Sequence, residues 1–336
     1  MKLLIPALRR GIRILPLILL VTWIGALFVP VKAHSTDMIV HTPGPFGPLE
    51  GAYLSATSKS ASTVLIIPGS GPTDRDGNNP LGVRASTYRY LAQGLAKAGI
   101  NSLRIDKRGM FGSARAIPDA NKVSVGDYAD DINSWIKVAQ DQSGAPCTWL
   151  LGHSEGALVA LLAARKKAPI CGLILVAAPG RPFGDLLRQQ LRANPANAPL
   201  LDDAMKAITA LESGDKVDVA GLHPALRSLF SPQVQGFISD AMSYDPASLI
   251  ANVTVPVLIV QGDEDLQVST EDARRLHEAG AHSRLVLLPQ VNHVLKYVSS
   301  DDRAVNLASY SDPALPLAPG VIEAVTDFIA SPQTNN

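Results

Sequence analysis

From Leu49 onward, short apolar runs alternate with longer stretches in which apolar positions recur every three or four residues. Leu49 to Leu54 reads as an early strand. Thr63-Val64-Leu65-Ile66-Ile67 is a continuous apolar run halted by Pro68-Gly69, as expected of a strand buried on both faces. Tyr88, Leu91, Ala92 and Leu95 share one helical face, with Ser86 placed to cap that helix and Gly99 to end it. Further strands are expected at Ile100 to Ile105, Thr148 to Leu151, Leu173 to Ala177, Val255 to Val260 and Arg284 to Leu288. Between them lie a helix carrying Tyr128, Ile132, Trp135, Ile136 and Ala139, one from Glu155 to Lys167, and one near Thr270 to Ala279. A last helix runs from Pro319 to Ile329. This alternation predicts an α/β fold, a mainly parallel sheet with helices on both faces.

Residues 181–245 break the rhythm. They hold helical patches at Leu186–Leu191, Ala204–Leu211, Leu226–Phe230 and Val234–Met242, separated by Pro, Gly and Asn, and no strand. The segment is expected to be a helical cap inserted over the C-terminal strand edge, where open α/β sheets bind ligands. It divides the core into residues 34–180 and 246–331. Its Leu186, Leu187, Leu229, Phe230, Phe237 and Met242 predict a modest apolar pocket.

The first 33 residues differ again. Lys2, Arg9, Arg10 and Arg13 precede an uncharged apolar run from Ile14 to Val31, followed by Val31-Lys32-Ala33. This is the pattern of a signal peptide cleaved after Ala33. An uncleaved anchor is the rival, because about 18 apolar residues is the lower edge of a membrane span. Either way the body of the protein is exported, periplasmic or secreted, and meets a membrane only if the segment is uncleaved. Hydrophobic residues at 46% and charged residues at 18% exclude a disordered chain. Lys+Arg and Asp+Glu balance at 30 each, so no overall field draws nucleic acid.

The chemistry concentrates in a few places. Gly152-His153-Ser154-Glu155-Gly156 sets G-x-S-x-G between an apolar strand and an alanine-rich helix. Such a strand-to-helix turn projects the serine hydroxyl, and the helix start aims the Glu155 N–H at a developing oxyanion. The plainer alternative is a βα turn with a capping serine. Carboxylates follow the next-but-one strand at Asp263, Glu264 and Asp265, and His293 follows the strand after that, in the order Ser, acid, His. The other histidines read as surface or core residues, His153 among them. Pro68-Gly69-Ser70-Gly71-Pro72 lets a backbone N–H, that of Ser70, approach a substrate oxygen.

These residues resemble the α/β-hydrolase superfamily over nearly all of Leu49 to Ile329. Within it the chain is similar to exported bacterial esterases grouped with serine aminopeptidase-like hydrolases. Pro68–Asn78, Asp106–Ser113, Gly152–Gly156, Gln261–Val268 and Asn292–Lys296 carry the resemblance. It implies that Ser154, Asp265 and His293 form a catalytic triad, with Asp263 as the rival acid, and that Ser70 and Glu155 supply the oxyanion donors. Two departures stand out: Pro68 in place of a frequent His, and Phe111 where many relatives have Gly. Asp106 and Arg108 are expected to hold turns. The activity implied is hydrolysis of small-molecule esters of short to medium acyl chain, without metal or organic cofactor. A serine peptidase or thioesterase using the same triad is the alternative.

Cys147 and Cys171 each stand seven residues before a strand end, at Ser154 and Ala178. The two strands are neighbours in the superfamily, so the pair is within reach of a disulfide across the ladder. Two buried free thiols are the alternative, because side chains on adjacent parallel strands point side by side.

Overall fold

In the computed structural model, which describes residues 36–56, 62–300 and 302–331, the apolar runs pair into an eight-stranded sheet. The expected leader lies outside the described residues. A hairpin of β1 (Met38–Pro43) and β2 (Pro48–Leu54) forms one antiparallel edge. Then follow β3 (Thr63–Ile67), α1 (Thr87–Lys97), β4 (Asn101–Ile105), α2 (Val125–Ser143), β5 (Thr148–His153), α3 (Glu155–Ala164) and β6 (Ile170–Val176). The helices α4 (Phe183–Ala193), α5 (Leu201–Glu212), α6 (Gln235–Met242) and α7 (Pro246–Ile250) come before β7 (Val257–Gly262). The chain ends with α8 (Thr270–Ala279), β8 (Ser283–Leu288), α9 (Arg303–Ala308) and α10 (Val321–Ala330). Strand order is β1-β2-β4-β3-β5-β6-β7-β8, parallel from β4 to β8.

Alternate residues of the central strands feed two cores. Leu65 and Ile67 pack with α2 and α3 on one face, and Val64 and Ile66 with α1 and α10 on the other. The helix α3 is buried almost all round, which explains its run of Ala, Leu and Val without an amphipathic stripe. The insertion has a core of its own, centred on Ile208, Leu211, Phe230 and Ile238.

Several boundaries differ from the sequence expectation. β1 was not anticipated; it is an edge strand in which only Val40 and Thr42 are buried. Ser86 does not cap α1: its backbone is left-handed, at φ 50°, and its hydroxyl binds Asn78 Oδ1 instead. The Asp76 carbonyl takes over by accepting the Tyr88 and Arg89 N–H groups. Leu226–Phe230 is not an α-helix but a short 3₁₀ turn, Pro224–Leu226, and its continuation. Pro224 and Pro232 bracket it too closely for more.

Cys147 and Cys171 are joined by a disulfide, with Cα atoms 5.1 Å apart. Cys171 lies inside β6 rather than before it. The ladder pairs Thr148 with Ile170 and Trp149 with Gly172, so Cys171 is the extra residue of a bulge. A bulge re-aims the side chain it carries, which removes the side-by-side objection. The closed loop spans 24 residues of separation, for which chain entropy gives about 3 to 4 kcal/mol. Because the bridge lies at the strand ends opposite Ser154, reduction is expected to lower the melting temperature by several degrees. Thermal melts with and without reductant check this; an unchanged melt would show that the crosslink constrains nothing.

Candidate active site

Ser154 occupies the turn between β5 and α3 with φ 55° and ψ −123°, a backbone conformation in which a non-glycine residue is strained. Its N–H donates to Val176 O at 2.9 Å, and its carbonyl accepts from Ala157. Its hydroxyl makes no capping bond to α3, so the plain reading of a capping serine does not hold. The flanking glycines are required by close approach. A Cβ on Gly152 would lie 2.3 Å from Gly156 O, and one on Gly156 would lie 2.3 Å from Ile67 O.

His293 is carried by the turn that follows β8. Asn292 clamps that turn: its amide nitrogen donates to Ser309 Oγ and Asn306 Oδ1, and its Oδ1 accepts the Lys296 N–H. Lys296 is buried, donating to Leu315 O with its ammonium over the Tyr90 ring, and burial lowers its pKa to about 8. His293 Nδ1 is 2.8 Å from Asp265 Oδ2, with both side chains nearly excluded from solvent. Asp265 also accepts from the N–H groups of Gln267 and Val268 and from Gln261 Nε2. Burial alone would raise its pKa, but the charge and hydrogen bond of His293 and these N–H donors outweigh it and hold the carboxyl below the usual range. Asp263 does something else: its Oδ1 accepts the Gln290 N–H at 2.6 Å, bracing the turn. The geometry thus joins Asp265, not Asp263, to His293. With Nδ1–H engaged, Nε2 is the acceptor nitrogen. Ser154 Oγ and His293 Nε2 are not hydrogen-bonded to each other, but both border one cavity of about 100 Å³. Such contacts often close only around substrate.

The Gly69–Ser70 turn lies beside Ser154: a Cβ on Gly69 would sit 3.3 Å from Ser154 Cβ. Among the described residues, no protein acceptor takes the N–H groups of Ser70 or Glu155. Three residues that the sequence reading set aside hold this turn. The Gly69 N–H donates to Tyr88 Oη at 2.9 Å, and Lys107 Nζ donates to Gly69 O at 2.7 Å. Tyr88 Oη lies 2.9 Å from His153 Nδ1, and His153 Nε2 lies 2.8 Å from His293 O. A carbonyl can only accept, so His153 carries its proton on Nε2 and takes the Tyr88 proton at Nδ1. The sequence placed Tyr88 on the buried face of a helix and Lys107 within the Asp106–Ser113 motif, but nothing in it signalled their contacts with Gly69. His153 was visible only as the variable position of the pentapeptide. Asp106 and Arg108 hold turns as expected: Asp106 accepts the N–H groups of Arg75 and Gly112, and Arg108 grips Asp131 with two bonds of 2.7 Å.

A second cavity at Ser154, about 190 Å³, is lined by Leu158, Phe183, Leu186, Leu187, Ala241 and Tyr244 among others. Of the insertion's expected pocket residues, Leu186 and Leu187 reach it, whereas Phe230 and Met242 belong to the insertion's own core. Phe237 borders a third cavity, about 400 Å³, with Phe111 and Lys107. Phe111 is held at φ 46°, where glycine would be unstrained.

A family model described as Hydrolase_4, serine aminopeptidase S33, matches residues 81–297. Esterase EstD of Thermotoga maritima is 26% identical over 239 residues, 69% of this chain and 54% of that protein. The chain therefore spans about half the length of this curated relative. Among solved structures, the Pyrococcus furiosus esterase Pf2001 is similar with TM-score 0.54 and 17% identity, covering 88% of this chain and 90% of that one. Est1E from Butyrivibrio proteoclasticus gives 0.53 and 18%, covering 87% and 99%. These likenesses show the α/β-hydrolase fold.

The neutral state of His153 has a consequence for acid stability. Burial first, then the neighbouring His293, lowers its pKa from 6.5 to about 3. Between those values the unfolded chain binds a proton that the folded one refuses, so this residue's contribution to stability falls as pH falls. His153→Asn is expected to flatten the decline of melting temperature between pH 6.5 and 4.5. An unaltered slope would mean that the folded protein accepts the proton.

Proposed function

Because the chain belongs to the serine aminopeptidase S33 family of hydrolases, we propose that it is a serine esterase acting through an acyl-enzyme on Ser154. Ser154 Oγ attacks the ester carbonyl while His293 Nε2 takes its proton. Asp265 holds the Nδ1–H and stabilises the imidazolium. The N–H groups of Ser70 and Glu155 bind the oxyanion. His293 then returns the proton to the leaving alcohol and activates the water that frees the acid. The observation that carries this reading is the 2.8 Å bond between His293 and a buried, ionised Asp265, with His293 bordering the same cavity as a serine that has no capping role.

Ester rather than peptide substrates are supported by the carboxylates near Ser154. Among the described residues, Glu155 is the only carboxylate lining either cavity that reaches Ser154, and it pairs with Lys107. In the insertion, Glu212 is held by Arg188, and Asp215 and Asp218 border a separate cavity without Ser154. None of these four acids is thus set to receive a substrate's amine. The name of the esterase relative from Thermotoga maritima agrees with this choice over a thioester. The insertion acts as the cap of residues 181–245, and the acyl chain lies in the cavity walled by Phe183, Leu186 and Leu187. A disulfide persists in oxidising compartments, which supports export directed by the N-terminal segment.

Ser154→Ala is expected to lower ester hydrolysis by a factor on the order of 10⁴ to 10⁶ without unfolding the protein. Asp265→Asn is expected to cost about 10⁴ in kcat, and Asp263→Asn far less. Steady-state kinetics on p-nitrophenyl esters decide; equal losses at the two aspartates would move the acid. In a series from acetate to palmitate esters, the narrow cavity predicts a preference for acyl chains of up to about eight carbons. Fastest turnover of palmitate would place the acyl group elsewhere.

A further inference from the structure

The side chain of Lys107, the second residue of the Asp106–Ser113 motif, is almost fully buried on the wall of the cavity it shares with Phe111 and Phe237. Nζ donates to Gly69 O at 2.7 Å and lies 3.3 Å from Glu155 Oε1, above the ring of Tyr128. Gly69 C=O and Ser70 N–H belong to one peptide plane. The described chain has no cis peptide bonds, so the two groups point in opposite directions. Whatever holds the carbonyl therefore aims the N–H. A cation on the carbonyl oxygen also polarises the plane and strengthens the N–H as a donor, the more so in a site shielded from water. The same ammonium meets the side chain of Glu155, whose backbone N–H opens α3. One buried ammonium thus bridges the Gly69–Ser70 peptide and Glu155.

We propose that Lys107 is a positioning residue of the oxyanion hole, which orients and polarises the Gly69–Ser70 peptide and sets its spacing from the Glu155 N–H. This rests on the esterase reading above. It differs from a purely structural ion pair, which would stabilise the fold without favouring the transition state over the bound substrate. A donor aimed at charge that develops only during reaction acts on kcat and leaves ground-state binding alone.

The test uses the full-length protein and two variants, Lys107→Met, which removes charge and donor, and Lys107→Gln, which keeps a neutral donor. Thermal melts establish that each is folded. Direct loss of an oxyanion donor costs about 10² to 10³ in kcat, so weakening one through its peptide is expected to cost about 10- to 100-fold in Lys107→Met. KM is expected to stay within about threefold, and affinity for a trifluoromethyl ketone, which forms a tetrahedral oxyanion, to fall by the same factor as kcat. Lys107→Gln is expected to lose less, and it serves alone if the Met variant does not fold. A folded variant with kcat near the parent's, or one whose loss lies in KM with ketone affinity intact, overturns the proposal. Labelling of Ser154 in the parent by a fluorophosphonate separates the two levels. Without labelling the esterase reading itself fails; with labelling and an unaffected variant, only the role of Lys107 does.

Discussion

The site depends on how closely the start of α3 approaches the end of β3. At Gly156 there is no space for a side chain, because a Cβ would meet the Ile67 and Pro68 carbonyls at 2.3 and 2.7 Å. At Gly152 the same holds against the first turn of α3. This contact accompanies the strained conformation of the turn at Ser154 and sets the Gly69–Ser70 turn beside that residue. The strain is sustained by burial. α3 is enclosed by the sheet and α2, and it cannot shift outward without opening voids in a close-packed core. A methyl group at either glycine would force apart the end of β3, the turn at Ser154 and the start of α3.

Buried charge then fixes the loops that the contact brings together. Arg75 reaches Asp106 and Glu50; Arg104 joins Asp76 and Asp37; Arg108 joins Asp131 and Asp127. Residues 74–76 and 104–108 therefore hold each other. Buried pairs of this kind add little net stability, yet removing one partner leaves an uncompensated charge and is costly. Their effect here is geometric, since the loop bearing Lys107 and the loop bearing Gly69 cannot drift apart.

Much of this was legible in the sequence. Apolar runs marked the strands because parallel strands are buried on both faces, and the G-x-S-x-G pentapeptide was readable because its neighbours predicted strand and helix. Asp265 and Asp263 remained alternatives, since both end the same strand. Only the fold reveals that Asp263 braces Gln290 while Asp265 meets His293. Ser86 misled because capping preference is local, whereas its backbone is set by the Asp74–Asn78 loop. The bulge at Cys171 had no signature at all, as it depends on register with β5. Lys107 and Tyr88 stayed hidden for a related reason. Each acts through a backbone group of Gly69, and contacts made by backbone leave no pattern in side-chain types.

Gly69 is held at both of its backbone groups, the N–H by Tyr88 and the C=O by Lys107. Tyr88 continues to His153, and His153 to the carbonyl of His293. The turn at Gly69 and the turn carrying His293 are therefore joined by a hydrogen-bonded chain that passes beside Ser154, through the residue immediately before it. Every donor and acceptor in that chain is assigned, so none can reverse without leaving a buried group unpaired. A displacement of His293 is resisted at the Pro68–Gly69 peptide, whose N–H the chain holds, and a displacement of that peptide at His293. The insertion has its own core and only borders this assembly. Its cavity walls, Phe183, Leu186 and Leu187, can thus change in size without disturbing the chain of bonds that joins Gly69 to His293.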